Sequence, residues 1–174
     1  MNIIDIYLET LMGYDKDVVK EINVTGAVII KKGESGEDLV LLVQRDSEDH
    51  YPLFYEIPRG KCDKGDSKKL IQCLKREVKE ETGLDIIPVK FINKFEYIAE
   101  KGKRRSIQYN YLCRMKDPNQ EVKLSKEHQN FMWVQTVGEI ELLCQPEIKR
   151  TISKVLNVDT QIVIYPEKDK EILE

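Results

Sequence analysis

Three glutamates, Glu77, Glu80 and Glu81, fall within five consecutive positions of the stretch R-E-V-K-E-E-T-G at residues 76–83. On a helix, acids three and four apart are neighbours, and each like-charge pair costs a few tenths of a kcal/mol when exposed. At about 100° per residue, Leu70, Ile71, Leu74 and Val78 share an apolar stripe. Cys73, Glu77, Glu80 and Glu81 fill the adjoining arc, and Lys68, Lys69, Gln72, Lys75 and Lys79 take the solvent side. The acids therefore border the core, where something positive should balance them. Taken alone, such a turn is most simply a solvated face compensated by Arg76 and Lys79. The context favours a site. Gly60 opens the loop G-K-C-D-K-G-D before the helix, and Gly83 ends it. A glycine loop followed by convergent carboxylates suits a hard cation such as Mg2+, which takes oxygen ligands and keeps positions for water and phosphate. The chemistry implied is that of a phosphorylated substrate.

Strands and turns must hold that helix. Asn23–Lys32 reads as a buried strand, Gly33–Gly36 as its turn and Leu39–Gln44 as its hairpin partner. Residues 46–55 read as a loop leading to Glu56-Ile57-Pro58-Arg59-Gly60. The helix is expected from about Ser67 to Thr82, capped by Asp66 or Ser67 and stopped by Gly83. Val89, Phe91, Phe95 and Tyr97 alternate as one strand, and Ile107, Tyr109, Tyr111, Cys113 and Met115 as the next, joined by E-K-G-K-R-R. Phe131–Val134 reads as a last core strand, Glu139–Leu143 and Pro146–Leu156 as helices, and Gln161–Ile164 as a short strand. Together these predict an α/β (α+β) sandwich with a mixed, largely antiparallel sheet.

A chain of 174 residues, 41% hydrophobic and 34% charged, fits one folded domain rather than disorder. The expected layout is an extension over residues 1–20, adding a helix or a homodimer contact, and a single domain over 21–174. No run approaches the roughly 20 apolar residues of a membrane span. The first residues include Asp5 and Glu9 without a basic leader, so no secretory signal is expected. Cys62, Cys73, Cys113 and Cys144 form no C-x-x-C pair, and four scattered thiols suggest a reducing cytoplasm. The net charge of -3 argues against a dedicated nucleic-acid coat.

Residues 60–84 resemble the Nudix box, G-x5-E-x7-R-E-U-x-E-E-x-G-U, where U is a bulky aliphatic. Gly60, Asp66, Arg76-Glu77-Val78, Glu80-Glu81 and Gly83-Leu84 follow it. Asp66 stands where the pattern has Glu, and nine residues instead of seven separate it from Arg76. The resemblance implies a Nudix-like α/β/α sandwich and hydrolysis of a diphosphate linkage with Mg2+ or Mn2+. By the same resemblance, Glu77 and Glu81 are expected as principal metal ligands, with Glu80 close behind and the Gly60 carbonyl as a further one. Arg76 is expected to brace the carboxylates. Glu127 is a candidate base or additional ligand, its plainer reading being a surface acid. Neighbouring His128 reads as structural or solvent-facing. Arg59 and Lys61 either contact phosphate or pair with the box acids, and Glu56 reads as ordering the turn. Arg45 and the basic turn Lys103-Arg104-Arg105 lie within reach of phosphate in this reading. Tyr51, Phe54 and Tyr55 are either stacking platforms for a base or packing residues.

P-R-G-K before the box is similar to members acting on dinucleoside polyphosphates, diphosphoinositols or capped mRNA, while ADP-ribose pyrophosphatases share E-x-P-x-G. An acidic chain with an acidic tail lacks the basic track that RNA binding needs. The reading therefore favours a small nucleoside diphosphate derivative over RNA. A non-catalytic nucleotide-sensing module is the rival from another class; it would be expected to have lost box acids that are present here.

Overall fold

The computed structural model describes residues 20–48, 52–63, 69–100, 103–135 and 144–156. Strands β1 (Lys20–Lys32) and β2 (Asp38–Arg45) form the first hairpin. The short strands β3 (Tyr55–Glu56) and β4 (Arg59–Lys61) follow, then helix α1 (Leu70–Thr82). Next come β5 (Ile86–Ala99), β6 (Arg104–Met115), β7 (His128–Val134) and helix α2 (Pro146–Leu156). The main path of the sheet runs β3-β2-β1-β6-β5, with β7 also paired to β2 and β4 to β1. Among the strand pairs of the described residues, β1–β6 is the parallel one, in register from Lys20↔Arg104 to Ile30↔Arg114.

Strand alternation gives the sheet two apolar faces. Ala27, Ile29, Leu41, Tyr111 and Cys113 pack with Leu74 and Val78 of α1. Val28, Ile30, Leu42 and Leu112 pack with Ile148, Ile152 and Val155 of α2. Adjacent Leu41 and Leu42 thus serve opposite cores, each contributing about 1.5–3 kcal/mol of burial. The expected α/β/α sandwich is what forms.

Several expectations change in detail. β1 begins at Lys20, and the segment read as loop up to Tyr55 ends in the two-residue strand β3. α1 begins at Leu70, and its N-cap is Lys69, which makes no side-chain capping bond; the cap is thus not Asp66 or Ser67. Those two residues, the Glu139–Leu143 helix and the Gln161–Ile164 strand lie outside the described residues, as do residues 1–19. Gly83 ends α1 as predicted, at φ 70°, a left-handed conformation that glycine adopts without Cβ strain. α2 starts at Pro146 as expected. β7 is less interior than predicted, with Phe131 exposed and only His128 and Val134 fully buried.

Two corrections bear on the site. In the first half of β6 the buried line is polar, Arg104, Ser106, Gln108 and Asn110, while Ile107 and Tyr109 are only half-buried. Period-two alternation marks a strand but not which of its faces is inside. The second concerns the cysteines. Cys62, just past β4, is bonded to Cys73 of α1, with Cα atoms 5.5 Å apart, leaving Cys113 and Cys144 as buried thiols. Spacing hid this pair, because the partners are 11 residues apart on different elements. By chain entropy such a link stabilises by roughly 2–3 kcal/mol. Among the described residues, no helix is long and apolar enough to cross a membrane.

Candidate active site

Helix α1 lies across the face of the sheet that carries Ala27 and Ile29, with β4 running beside it. Its apolar stripe fixes its rotation, and that rotation aims the acids. Glu81 is buried, Glu77 is half-buried with its side chain 13% exposed, and Glu80 is on the rim at 58%. The three adjacent acids therefore occupy three different environments.

Glu81 sits deepest. The backbone N–H of Arg59 donates to its Oε2 at 2.9 Å, tying β4 to the last turn of α1. Burial, followed by the charges of Glu56, Glu77 and Glu127, raises its proton affinity well above the ordinary carboxylate range despite that bond. Glu77 is also raised, first by burial and then by Glu80 and Glu127, against the opposing Arg76. Arg76 Nη1 pairs with Glu77 at 2.8 Å and Glu80 at 3.1 Å, and its Nη2 donates to the Lys61 carbonyl at 3.2 Å. Arg76 thus braces the acids against the strand.

Gly60 lies against Glu77 so closely that a Cβ built there would overlap the carboxylate. A side chain here would push the Glu77 carboxylate aside. Gly60→Ala is expected to displace Glu77 and to reduce turnover by about 10- to 100-fold, as ångström-scale misplacement does. Steady-state kinetics beside a thermal melt would check this; an unchanged kcat would show that the close approach is irrelevant.

Glu127 belongs to a segment docked on the end of α1. The Ser125 and Lys123 N–H groups donate to the Glu81 and Thr82 carbonyls at 2.9 and 2.8 Å, so the 123–127 segment docks on the end of α1. The Glu127 carbonyl accepts the Asp46 N–H at 3.2 Å. These bonds satisfy carbonyls a helix end leaves open and bring the exposed Glu127 carboxylate within electrostatic range of Glu77 and Glu81.

Behind the acids lies a buried polar chain, in which the sequence pointed to Glu56 and Arg59 but not to Gln108, Asn110 or Asn93. Glu56 accepts from Arg59 Nε at 2.7 Å and Arg45 Nη1 at 3.1 Å, with His128 Nε2 at 3.8 Å. Burial alone would push the Glu56 carboxyl up; Arg59, His128 and Arg45 outweigh it and hold it at about 2. Arg59 Nη1 donates to Gln108 at 2.8 Å, and Gln108 to Asn110 at 2.8 Å. Asn110 donates to Asn93 at 3.0 Å, and Asn93 to Thr151 of α2 at 3.2 Å. The Tyr97 ring lies 5.8 Å from the Arg59 guanidinium. The signal was present in the alternating Ser106, Gln108 and Asn110, which were passed over for the apolar residues between them.

The structure brings Gly60, Arg76, Glu77, Glu80, Glu81 and Glu127 together. Of the residues considered for substrate, Arg45 and Arg59 turn to Glu56, Lys61 is exposed at the end of β4, and Tyr55 packs into the core under α2. Arg104 and Arg105 are paired with Glu100, Glu21 and Glu96. Two surface clefts of about 360 and 450 Å³ lie elsewhere, around Lys79 and Gln120 and around Trp133.

Among the described residues no three His, Cys, Asp or Glu side chains form a ready-made metal cage. A magnesium ion needs only one or two protein carboxylates, with water and phosphate completing its sphere. The donors here are hard oxygens, two of the carboxylates carry raised proton affinity, and the strand facing Glu77 has no side chain. The residues fit such an ion.

A mixed sheet lies between two helices, with the acid-bearing helix laid against the glycine of β4. The chain belongs to the Nudix family: the family model for the NUDIX domain matches residues 22–153. It is 29% identical over 131 residues to the asymmetrical bis(5'-nucleosyl)-tetraphosphatase of Mus musculus, covering 73% of this chain and 84% of the relative. A C. elegans Ap4A hydrolase in a binary complex superposes with TM-score 0.62 at 23% identity, covering 77% and 94% of the two chains. The NUDIX domain of Shewanella oneidensis NrtR, complexed with ADP ribose, does so with TM-score 0.63 at 18% identity, covering 90% and 98%.

Proposed function

We propose that this chain hydrolyses a diphosphate linkage in a small nucleoside derivative, with a dinucleoside polyphosphate as the leading substrate class and Mg2+ or Mn2+ as cofactor. The observation that carries the reading is the convergence of Glu77, Glu81 and Glu127 beside Gly60. Similarity to the mouse tetraphosphatase favours dinucleoside polyphosphates over ADP-ribose-like compounds.

Glu77 and Glu81 would hold the cation, with Glu80 and the Gly60 carbonyl as further oxygen donors. Bound there, the ion would offset charge on nonbridging phosphate oxygens and make an attacking water more acidic. Glu127, exposed and on a docked segment, would take the proton of that water on its carboxylate. Arg76 sits between Glu77 and Glu80, pairing with Oε1 of the first and Oε2 of the second, and so offsets their mutual repulsion. Arg45 and Arg59 would act mainly through Glu56, which leaves exposed Lys61 as the nearer candidate for substrate phosphate. Incubation with diadenosine tetraphosphate, ADP-ribose, capped RNA, diphosphoinositols and nucleoside triphosphates, with products identified by mass, tests this. Asymmetric cleavage of the dinucleotide in Mg2+ is expected. Cleavage confined to capped RNA, or no cleavage of any of them, would overturn the reading.

A further inference from the structure

We propose that Cys62–Cys73 is a thiol–disulfide switch that sets how firmly β4 is held against α1, and through that the turnover of the site. Its catalytic readout rests on the function proposed above; its structural readout does not. Cys62 lies two residues after Gly60, and Cys73 lies one helical turn before Glu77. The covalent link therefore sits about 6 Å along the helix from the Gly60–Glu77 juxtaposition. Besides this bond, β4 and α1 are joined at the site by the Arg59 N–H to Glu81 and by the partly exposed Arg76 to the Lys61 carbonyl. Breaking the covalent tie leaves these two hydrogen bonds and the Arg76–Asp63 ion pair at 3.6 Å between the two elements, with β4 still laddered onto β1.

The surroundings give the exchange a direction. Both cysteines are buried, Cys73 wholly and Cys62 with 8% exposed, and Cys62 is the one flanked by exposed residues, Lys61 and Asp63. The thiolate of a dithiol attacks Cys62 Sγ, the S–S bond breaks, and its electron pair leaves on Cys73 Sγ. That leaving sulfur lies 3.3 Å from the Thr25 hydroxyl and in the first turns of α1, and both offset part of the burial that disfavours a thiolate there. The second thiol of the dithiol then attacks the mixed disulfide, and the electron pair leaves on Cys62. Two electrons and two protons pass to the cysteine pair as the dithiol closes to its own disulfide. The remaining thiols stay out of this exchange: burial pushes Cys144 up to about 12 and Cys113 higher, so both remain protonated.

The test is to incubate the native protein with dithiothreitol, alkylate the thiols and map them by mass. Turnover of diadenosine tetraphosphate in Mg2+ and amide hydrogen exchange over residues 59–62 and 73–78 would be followed in parallel. Alkylation should appear at Cys62 and Cys73, turnover should fall about tenfold, in the range expected of a loosened catalytic geometry, and exchange should accelerate in both segments. All three should reverse when oxidised dithiothreitol is added. The Cys62→Ser/Cys73→Ser variant should stay at the low value and ignore the reductant. Appearance of both thiols with turnover and exchange unchanged would reduce the bond to a passive staple and overturn the proposal. So would a pair that resists reduction until the protein is denatured. If neither redox state cleaves any substrate, the proposed function is what fails; faster exchange on reduction then still supports the switch, and unchanged exchange rejects it.

Discussion

Glu77→Gln is expected to lower turnover on the order of 10²–10³-fold, the loss typical of removing one group that stabilises transition-state charge. Glu81→Gln should do the same. Neither should unfold the protein, and Glu81→Gln should stabilise the metal-free form at neutral pH. The reason lies in the direction of the pKa shifts. Burial and neighbouring acids raise the folded-state proton affinity of Glu81 above its unfolded value. Its contribution is therefore most favourable below the unfolded carboxylate range and is lost as pH rises through the folded value. A glutamine keeps an oxygen for the Arg59 N–H and removes the charge. Melting curves from pH 4 to 8 without metal should show wild type losing stability with rising pH more steeply than the variant. A variant that melts lower than wild type at every pH, with activity retained, would make Glu81 a structural acid.

Glu56→Ala should have the opposite profile, costing about 3–5 kcal/mol of stability, as breaking a buried ion pair does. Arg45 and Arg59 would be left facing each other with little water to screen them. The position of the Glu56 carboxyl at about 2, against 4.5 for an unperturbed one, corresponds to about 3 kcal/mol at neutral pH. Here the sign is reversed from Glu81. The stabilisation is present above the unfolded pKa and is lost as pH falls toward the folded one. Wild type should therefore weaken between pH 4.5 and 2, while the variant is already weak at neutral pH. Activity should fall as well, because Arg59 carries the N–H that fixes Glu81. Urea unfolding of both proteins would measure the difference; a loss below 1 kcal/mol would show that the two arginines find water or other partners.

The helix was legible because its signals are local. Leu70, Leu74 and Val78 recur at helical spacing, and Gly83 supplies the stop, so the arc carrying Glu77 and Glu81 follows from rotation alone. The hairpin of β1 and β2 was legible for a similar reason, two apolar runs around Gly33–Gly36. What stayed hidden depends on contacts distant in sequence. The Arg59–Gln108 bond spans 49 positions, and Cys62–Cys73 joins two element ends. No periodicity reports either. The inner line of β6 was misjudged because buried amides are tolerated only when a network satisfies them, and that network involves Arg59 and Asn93 from other strands. Glu127 is a candidate through its place in the family pattern alone; the backbone bonds of Lys123 and Ser125 onto the end of α1, which hold its segment near the acids, leave no mark in the sequence.

In the proposed reaction Glu77 and Glu81 are tolerated as acids at a buried edge because a divalent ion, arriving with a diphosphate, balances them. Mn2+ binding followed by electron paramagnetic resonance, with a nonhydrolysable dinucleoside tetraphosphate present, tests this directly. Wild type should bind the ion, and Glu77→Gln and Glu81→Gln should each weaken it at least about tenfold, a change of about 1.4 kcal/mol. Equal Mn2+ affinity in all three proteins would contradict the account.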